Sequence, residues 1–248
     1  MTARTKSPPE PTDTLVVDIE TVVDGTLWPR QETPPGATPV FPPPWAHQVV
    51  AIGCLWLGPS QEPKHVGLIG HGEVVTPERV LLQQLFKFIG DHPVRLVTYN
   101  GNRFDLPVMS MRAFHHALVT KPTVRGLRGI DVHAIFARHN NDQNISLNSA
   151  AKLMGLPGKS GHSGKDVAEL FATTNMAALQ RYCLEDVAQT AVMMLRWMLI
   201  HGRIDARTYR GRVGVLLEFL GRDPRLTTFI TSIDLDRVMA PDPVAVEK

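Results

Sequence analysis

The stretch Leu15-Val16-Val17-Asp18-Ile19-Glu20-Thr21 constrains this chain more than any other. Apolar, strand-favouring residues run into an Asp-x-Glu pair. In a strand, successive side chains alternate faces, so Asp18 and Glu20 point the same way, about 6–7 Å apart along the chain. Two like charges on one face of a hydrophobic strand repel each other unless something cationic sits between them. Hard carboxylate oxygens suit Mg²⁺ or Mn²⁺, so a divalent metal is the functional reading. The plainer reading is a strand running out into water, where two carboxylates cost nothing. The rest of the chain has to decide between them.

The 248 residues, 43% hydrophobic and 20% charged, suit an ordinary globular fold with a sizeable core. A formal net charge of +2 and a pI near 8.6 neither demand nor exclude a polyanionic partner. Any nucleic-acid footprint therefore has to be local. Two cysteines, Cys54 and Cys183, exclude a disulfide scaffold and a cysteine-rich zinc site. Residues 1–13 are polar and proline-bearing, without an apolar signal core, and read as a flexible leader. The most apolar run, residues 191–200, is interrupted by Arg196 and falls short of a membrane span. The expectation is a cytoplasmic protein without membrane contact.

Taken in order, residues 14–20 form the first strand of a domain expected to reach residue 221. Residues 24–46 are an irregular insertion: Pro29, Pro34, Pro35, Pro39, Pro42, Pro43 and Pro44 preclude a helix or a central strand. Trp28, Phe41 and Trp45 suggest that this insertion packs onto the domain. Residues 47–58 read as a buried strand and 65–69 as the next. A helix then opens with Thr76 as N-cap and Pro77 in its first turn, carries Leu81, Leu82, Leu85, Phe86 and Ile89 inward, and closes at Gly90. Residues 94–99 make another strand, followed by a turn through Asn100 to Asp105 and a helix. A short strand ends at Asp131, and a helix over 146–153 stops at Gly155. A Gly/Lys/Ser loop over 158–165 and a short helix over 166–171 follow. Asn175 caps a long helix to about residue 201, and Asp205 starts another to about 220. Residues 222–248 have weak periodicity and read as a tail. Strands with interleaved helices, giving way to helices, predict an α/β fold.

Two further acidic positions matter. Asp105 follows a strand, a turn and Phe104, and so stands at a strand-to-helix junction; a charge favourable to the helix dipole is its plainer reading. Tyr182 and Asp186 lie four residues apart on the long helix and address a common spot. Their side is shared by Leu179, Thr190 and Met193, an inward face, whereas Glu185 looks like the solvated neighbour. An inward aspartate needs a partner or a metal; a Tyr–Asp hydrogen bond or a nearby arginine is the structural alternative.

Asp-x-Glu at a strand end, Asn-x-x-x-Phe-Asp after a later strand and Tyr-x-x-x-Asp on a helix occur in that order. The pattern resembles the DEDD superfamily of 3′–5′ exonucleases. It looks most like the tyrosine branch, to which the proofreading domain of family B DNA polymerases belongs. The histidine branch has His five positions before the last aspartate; Arg181 stands there. From about residue 15 to 199 the chain also looks like small stand-alone bacterial proteins related to that proofreading domain, with no polymerase domain attached.

The resemblance implies a ribonuclease H-like mixed sheet flanked by helices, with Asp18, Glu20, Asp105 and Asp186 as metal ligands. Two Mg²⁺ or Mn²⁺ ions about 3.5–4 Å apart are implied. One would take Asp18, Glu20 and Asp186 and activate the attacking water; Asp18 would bridge to the other, which stabilises the leaving 3′ oxygen. Tyr182 would orient the water through a phenol that stays protonated, its ordinary pKa being about 10. Asn100 and Phe104 would contact the terminal nucleotide, the ring by stacking, with core packing as the plainer role of Phe104. Thr21 and Lys159 complete the substrate-binding set. The implied reaction is hydrolysis at 3′ ends of single-stranded DNA, releasing nucleoside 5′-monophosphates. RNA ends, or nucleic-acid binding without turnover, are the alternatives; the motifs on residues 100–105 and 182–186 argue against an endonuclease or integrase.

Several features are decoys or accessories. Gly158-Lys159-Ser160 invites a P-loop reading, but Leu153 stands where the pattern needs glycine. Lys159 and Lys165 can still touch a phosphate backbone. Asp131 reads as structural, pairing with Arg128 or Arg138. His115, His116 and His162 read as surface residues, and Cys183 as buried packing on another side from Tyr182. Basic clusters at Lys121, Arg125 and Arg128, and at Arg203, Arg207, Arg210 and Arg212, can follow a backbone or be solvated surface.

Overall fold

The computed structural model describes residues 12–29, 36, 40–70, 72, 74–90, 94–120, 129–137, 145–159, 161 and 164–239. Five strands form one mixed sheet: β1 (Asp13–Val23), β2 (His47–Leu57), β3 (Pro63–Ile69), β4 (Val94–Thr98) and β5 (Ile130–Asp131). Their spatial order is β3-β2-β1-β4-β5. β1 pairs antiparallel with β2 and parallel with β4; β2–β3 is antiparallel and β4–β5 parallel. The central β1 is apolar and buried from Leu15 to Val17, just before Asp18, as a strand covered on both faces must be. The mixed sheet flanked by helices is the α/β architecture expected from the sequence.

One face of the sheet packs Leu15, Val17 and Ile19 of β1 against α1 (Glu78–Ile89) and α2 (Asp105–His115). Gly90 closes α1 as anticipated, but Thr76 does not cap it. Pro77 occupies the cap position without a side-chain cap bond, and the Thr76 hydroxyl donates to the Val74 carbonyl. A buried ion network stands in as the lock. Arg112 of α2 donates from Nε and Nη2 to the Glu78 carboxylate and from Nη1 to Asp24, while the Val49 amide also donates to Glu78. His116 meets the same carboxylate at 2.6 Å, so it is not the simple surface residue the sequence suggested.

The other face carries α3 (Val132–Phe136), α4 (Leu147–Met154), α5 (Val167–Ala172), α6 (Met176–Ile200) and α7 (Ala206–Leu220). Asn175 and Asp205 cap their helices as read from sequence, and Ser146, read as the first residue of its helix, is its cap; each accepts from a backbone amide three residues on. Gly155 ends α4 in the left-handed conformation at φ 91°. Residues 222–239 are folded. A 3₁₀ turn, α8 (Thr227–Thr231) and α9 (Leu235–Met239) bury Leu226, Phe229 and Val238 in the main core. Arg196 donates to the carbonyls of Arg237 and Val238, tying them to α6. Weak periodicity hid short helices that rely on this docking.

α6 lies across the sheet and is buried along most of its length. Glu185, expected in solvent, is 2% exposed; a helix covered on nearly all sides leaves it no wet face. The close approach is made at Gly53, which sits opposite Asp18 in the β1–β2 pairing. A Cβ there would meet Val187 Cγ2 at 2.9 Å, Cys183 Sγ at 3.0 Å and the Cys183 carbonyl at 3.2 Å. Gly53→Ala is therefore expected to lift α6 from the sheet and destabilise the fold by about 1–3 kcal/mol. Urea unfolding checks this: an unchanged midpoint would show that the helix has slack.

Candidate active site

A cleft of about 410 Å³ opens where β1, the β4–α2 turn, α6 and the loop after α4 come together. Asp18, Glu20, Asp105, Tyr182 and Asp186 all line it, with Asn100, Phe104 and Lys159. Thr21 is not among the lining residues. A register shift between Glu20 and Thr21 breaks the strand's regular pairing, and the Thr21 hydroxyl meets Nδ1 of His47 at 3.0 Å.

Each acidic group reaches the cleft by a different route. Asp18 and Glu20 share a face of β1, as alternation requires. Asp105 is the first residue of α2, and its Oδ1 accepts from the Ile19 amide at 3.3 Å, bracing the helix start against the strand that carries the other two carboxylates. The turn leading to it is tightly specified. Asn100 has φ 63°, a region that asparagine tolerates better than most residues. A Cβ on Gly101 would run into the Thr98 side chain at 2.2 Å. Asp131 accepts from the amides of Asn100 at 2.8 Å and Asn102 at 3.0 Å, and caps α3 through Ala134. Its role is structural, as anticipated, but through backbone amides; Arg128 and Arg138 lie outside the described residues.

From α6, Asp186 enters with Tyr182 one turn earlier, both buried. Gln189, fully buried on the same helix, donates from Nε2 to Asp186 Oδ1 at 3.3 Å. Asp186 Oδ2 lies 3.6 Å from Lys159 Nζ. The same ammonium donates to the Tyr182 hydroxyl and stands 4.5 Å from its ring centroid. Cys183 is buried but is not remote from the site, as its position on the helix suggested. Its Sγ lies 3.5 Å from the Asp18 carbonyl, and with one carboxylate oxygen each of Asp18 and Glu20 forms a group within 4.8 Å.

Electrostatics follow from this crowding. Burial, then Glu20, Asp186 and Asp105, hold the Asp18 carboxyl well above the usual carboxylate range, with Lys159 opposing. Burial and Asp186 do the same to Glu20. Burial pushes Asp105 up to about 7 despite its backbone hydrogen bonds, and Asp186 up to about 6 against the pull of Lys159. Four carboxylates face one ammonium among the described lining residues. Hard oxygen donors with an excess of negative charge in a low-dielectric cleft fit divalent cations.

Sequence reasoning missed Phe41, Tyr99 and His133, which also line the cleft. Tyr99 donates to the Ile145 carbonyl at 2.6 Å, and His133 meets its ring edge-on at 5.5 Å. Tyr99 ends β4 beside Asn100, a positional signal the motif comparison passed over. Of the basic clusters, Lys121, Arg125 and Arg128 lie outside the described residues, as do residues 1–11, most of 30–39, His162 and 240–248. Arg203 and Arg207 are exposed, with Arg203 over the Trp197 ring.

An acid-lined cleft at the end of the central strand of such a sheet is a site suited to divalent cations and to the phosphates they bind. A family model described as a predicted 3′–5′ exonuclease related to the exonuclease domain of PolB matches residues 40–233. The chain belongs to that family. The match starts beyond β1, so the fold brings Asp18 and Glu20 to the matched residues. Among solved structures, the family B DNA polymerase of the hyperthermophilic archaeon Pyrobaculum calidifontis matches with a TM-score of 0.54 and 16% identity, over 86% of this chain and 30% of the polymerase. E. coli exonuclease I, in complex with a dT13 oligonucleotide, matches with a TM-score of 0.41 and 12% identity, over 88% of this chain and 46% of its own. The chain thus spans less than half of either protein, and at 16% identity the likeness to the polymerase is one of fold. No curated protein matches the chain.

The raised carboxylates make the metal-free protein pH-sensitive. Asp105, at about 7 in the fold, has an unfolded value near 3.9. Between those values the native state keeps a proton that the unfolded chain has lost, so stability falls as pH rises through the window. In EDTA, Asp105→Asn should become more stable relative to wild type from pH 5 to pH 8, by a few degrees in Tm. Adding Mn²⁺ should raise the wild-type Tm more at pH 8 than at pH 5. A Tm difference between variant and wild type that is flat with pH would refute the assignment.

Proposed function

We propose that the chain hydrolyses phosphodiester bonds from the 3′ ends of single-stranded DNA, releasing nucleoside 5′-monophosphates with the help of two divalent cations, Mg²⁺ or Mn²⁺. The observation that carries this reading is the convergence of Asp18, Glu20, Asp105 and Asp186 with Tyr182 on one open cleft. Asp18, Glu20, Asp105 and Asp186 would hold the ions, whose chemistry is to acidify water and offset charge on the phosphoryl and leaving oxygens.

The chain's own groups do the positioning. The Tyr182 phenol, beside Lys159 and one helical turn from Asp186, orients a water in line with the scissile phosphate. The water oxygen bonds to phosphorus and gives up a proton to solvent as the bond to the 3′ oxygen breaks; the 3′ oxygen leaves with the bonding pair and takes up a proton from solvent. Lys159 adds positive charge where the phosphate sits. Gln189 fixes the rotamer of Asp186 by occupying Oδ1 and leaving Oδ2 to the cleft. Phe104 offers its ring to the terminal base, and Asn100 lies beside it.

The test is digestion of a 5′-labelled single-stranded oligonucleotide with Mn²⁺, with Mg²⁺ and with EDTA. A ladder shortening from the 3′ end, lost in EDTA and in Asp18→Ala, is expected. Asp18→Ala should reduce activity by at least about a thousandfold while raising the Tm of the metal-free protein, because a buried like charge is removed. Tyr182→Phe should slow turnover about 10–100-fold with little change in metal affinity by calorimetry. Asp18→Ala retaining wild-type rates would end the proposal. Cleavage of RNA ends alone would move the substrate to RNA.

A further inference from the structure

One wall of the cleft is aromatic and comes partly from outside the three acidic motifs. Phe41 lines the cleft with the four carboxylates yet is 71% exposed. Its ring lies on the His47 imidazole, with centroids 5.4 Å apart and planes inclined by 31°. Phe104 meets the same imidazole edge-on at 4.9 Å and stands 6.0 Å from Phe41 at 56°. His47 is therefore a common support for both phenyl rings.

The support is itself fixed. His47 Nε2 lies 3.1 Å from the Pro42 carbonyl, and Nδ1 lies 3.0 Å from the Thr21 hydroxyl. A carbonyl only accepts, so Nε2 carries the proton. Burial lowers the His47 pKa and keeps the ring neutral, so Nδ1 accepts from Thr21. Pro42, Pro43 and Pro44 follow Phe41 directly, and each locks its own φ. A phenyl ring backed by a clamped imidazole and followed by a stiff strap is held in place without being buried.

We propose that Phe41, backed by His47, forms with Phe104 a stacking platform for unpaired nucleobases beside the scissile phosphate. This rests on the exonuclease reading and names the substrate feature that the site engages. The tilt between the two phenyl rings excludes a base sandwiched between them, so a base stacks on the outward face of Phe41. Within a duplex, base faces are covered by their neighbours, so a paired end offers the ring at most the outer face of its last pair. Stacking accepts any base, as a non-specific enzyme needs. Thr21 then serves the substrate indirectly, through His47.

The test compares wild type, Phe41→Ala and Phe41→Trp on two single-stranded oligonucleotides, one ordinary and one abasic at its two 3′-terminal positions. On the ordinary strand, Phe41→Ala should raise KM about 5–50-fold, in line with the loss of one stacked base, with kcat within about twofold. Phe41→Trp should stay near wild type. On the abasic strand, wild type should be weakened and Phe41→Ala should lose nothing further. Because Phe41 is exposed, unchanged circular dichroism and Tm are expected. The platform is overturned if wild type digests the ordinary strand and Phe41→Ala matches its KM. It is equally overturned if the alanine variant loses as much on the abasic strand. A wild-type protein that neither shortens nor binds the oligonucleotide defeats the exonuclease reading, and the platform with it.

Discussion

Four largely buried carboxylates meet in one cleft, and much of the fold is arranged to keep them there. Their mutual repulsion and desolvation oppose folding in the absence of cations. The opposing forces are mostly apolar and lie away from the cleft. β1 is anchored on both faces by Leu15, Val16 and Val17 before Asp18, and by Ile19 between its two acids. α6 is buried for nearly its whole length, so Asp186 is set by a rigid body and not by a loop. Asp105 is braced to β1 by the Ile19 amide. A site that would drift apart if carried on loops is instead built from the ends and flanks of packed elements.

The signals that were legible in the sequence are local ones. The alternation of residues 14–20, the Asn175 and Asp205 caps and the glycine after α4 each act within a few residues, and the structure uses them as read. The four acidic positions were linked by motif order, and the fold brings all of them to one cleft. What stayed hidden depends on tertiary neighbours. Thr76 lost its capping role to a Glu78–Arg112 lock that spans 34 positions of sequence. Glu185 was read as solvated because helix periodicity marks one dry face, while α6 is covered almost all round. Gln189 carries no motif signal and Cys183 was read as buried packing, since their significance lies in touching Asp186 and Asp18.

The same limit explains Phe41. In a proline-rich stretch, an aromatic residue reads as packing, because apolar rings are usually covered. Its ring does pack, on His47, but only with one face. Nothing within residues 24–46 tells which face stays open; that is decided by where β2 begins and which way His47 points.

The register shift in the sheet makes that decision. Glu20 pairs with Ala51 but Thr21 with Val49, so β2 carries one extra residue at this point. Bulges of this kind bend a strand and re-aim the side chains beyond it. Up to Glu20, regular alternation holds two carboxylates on one face. One residue later the pairing has moved, and Thr21 reaches the start of β2, where it fixes His47. Without the shift, residues 47–49 would pair one position further along, and every side chain there would change faces. The His47 clamp, and with it the exposed face of Phe41, depends on that extra residue. The acids and the aromatic wall are thus set by adjacent residues of one strand, on either side of a single irregularity.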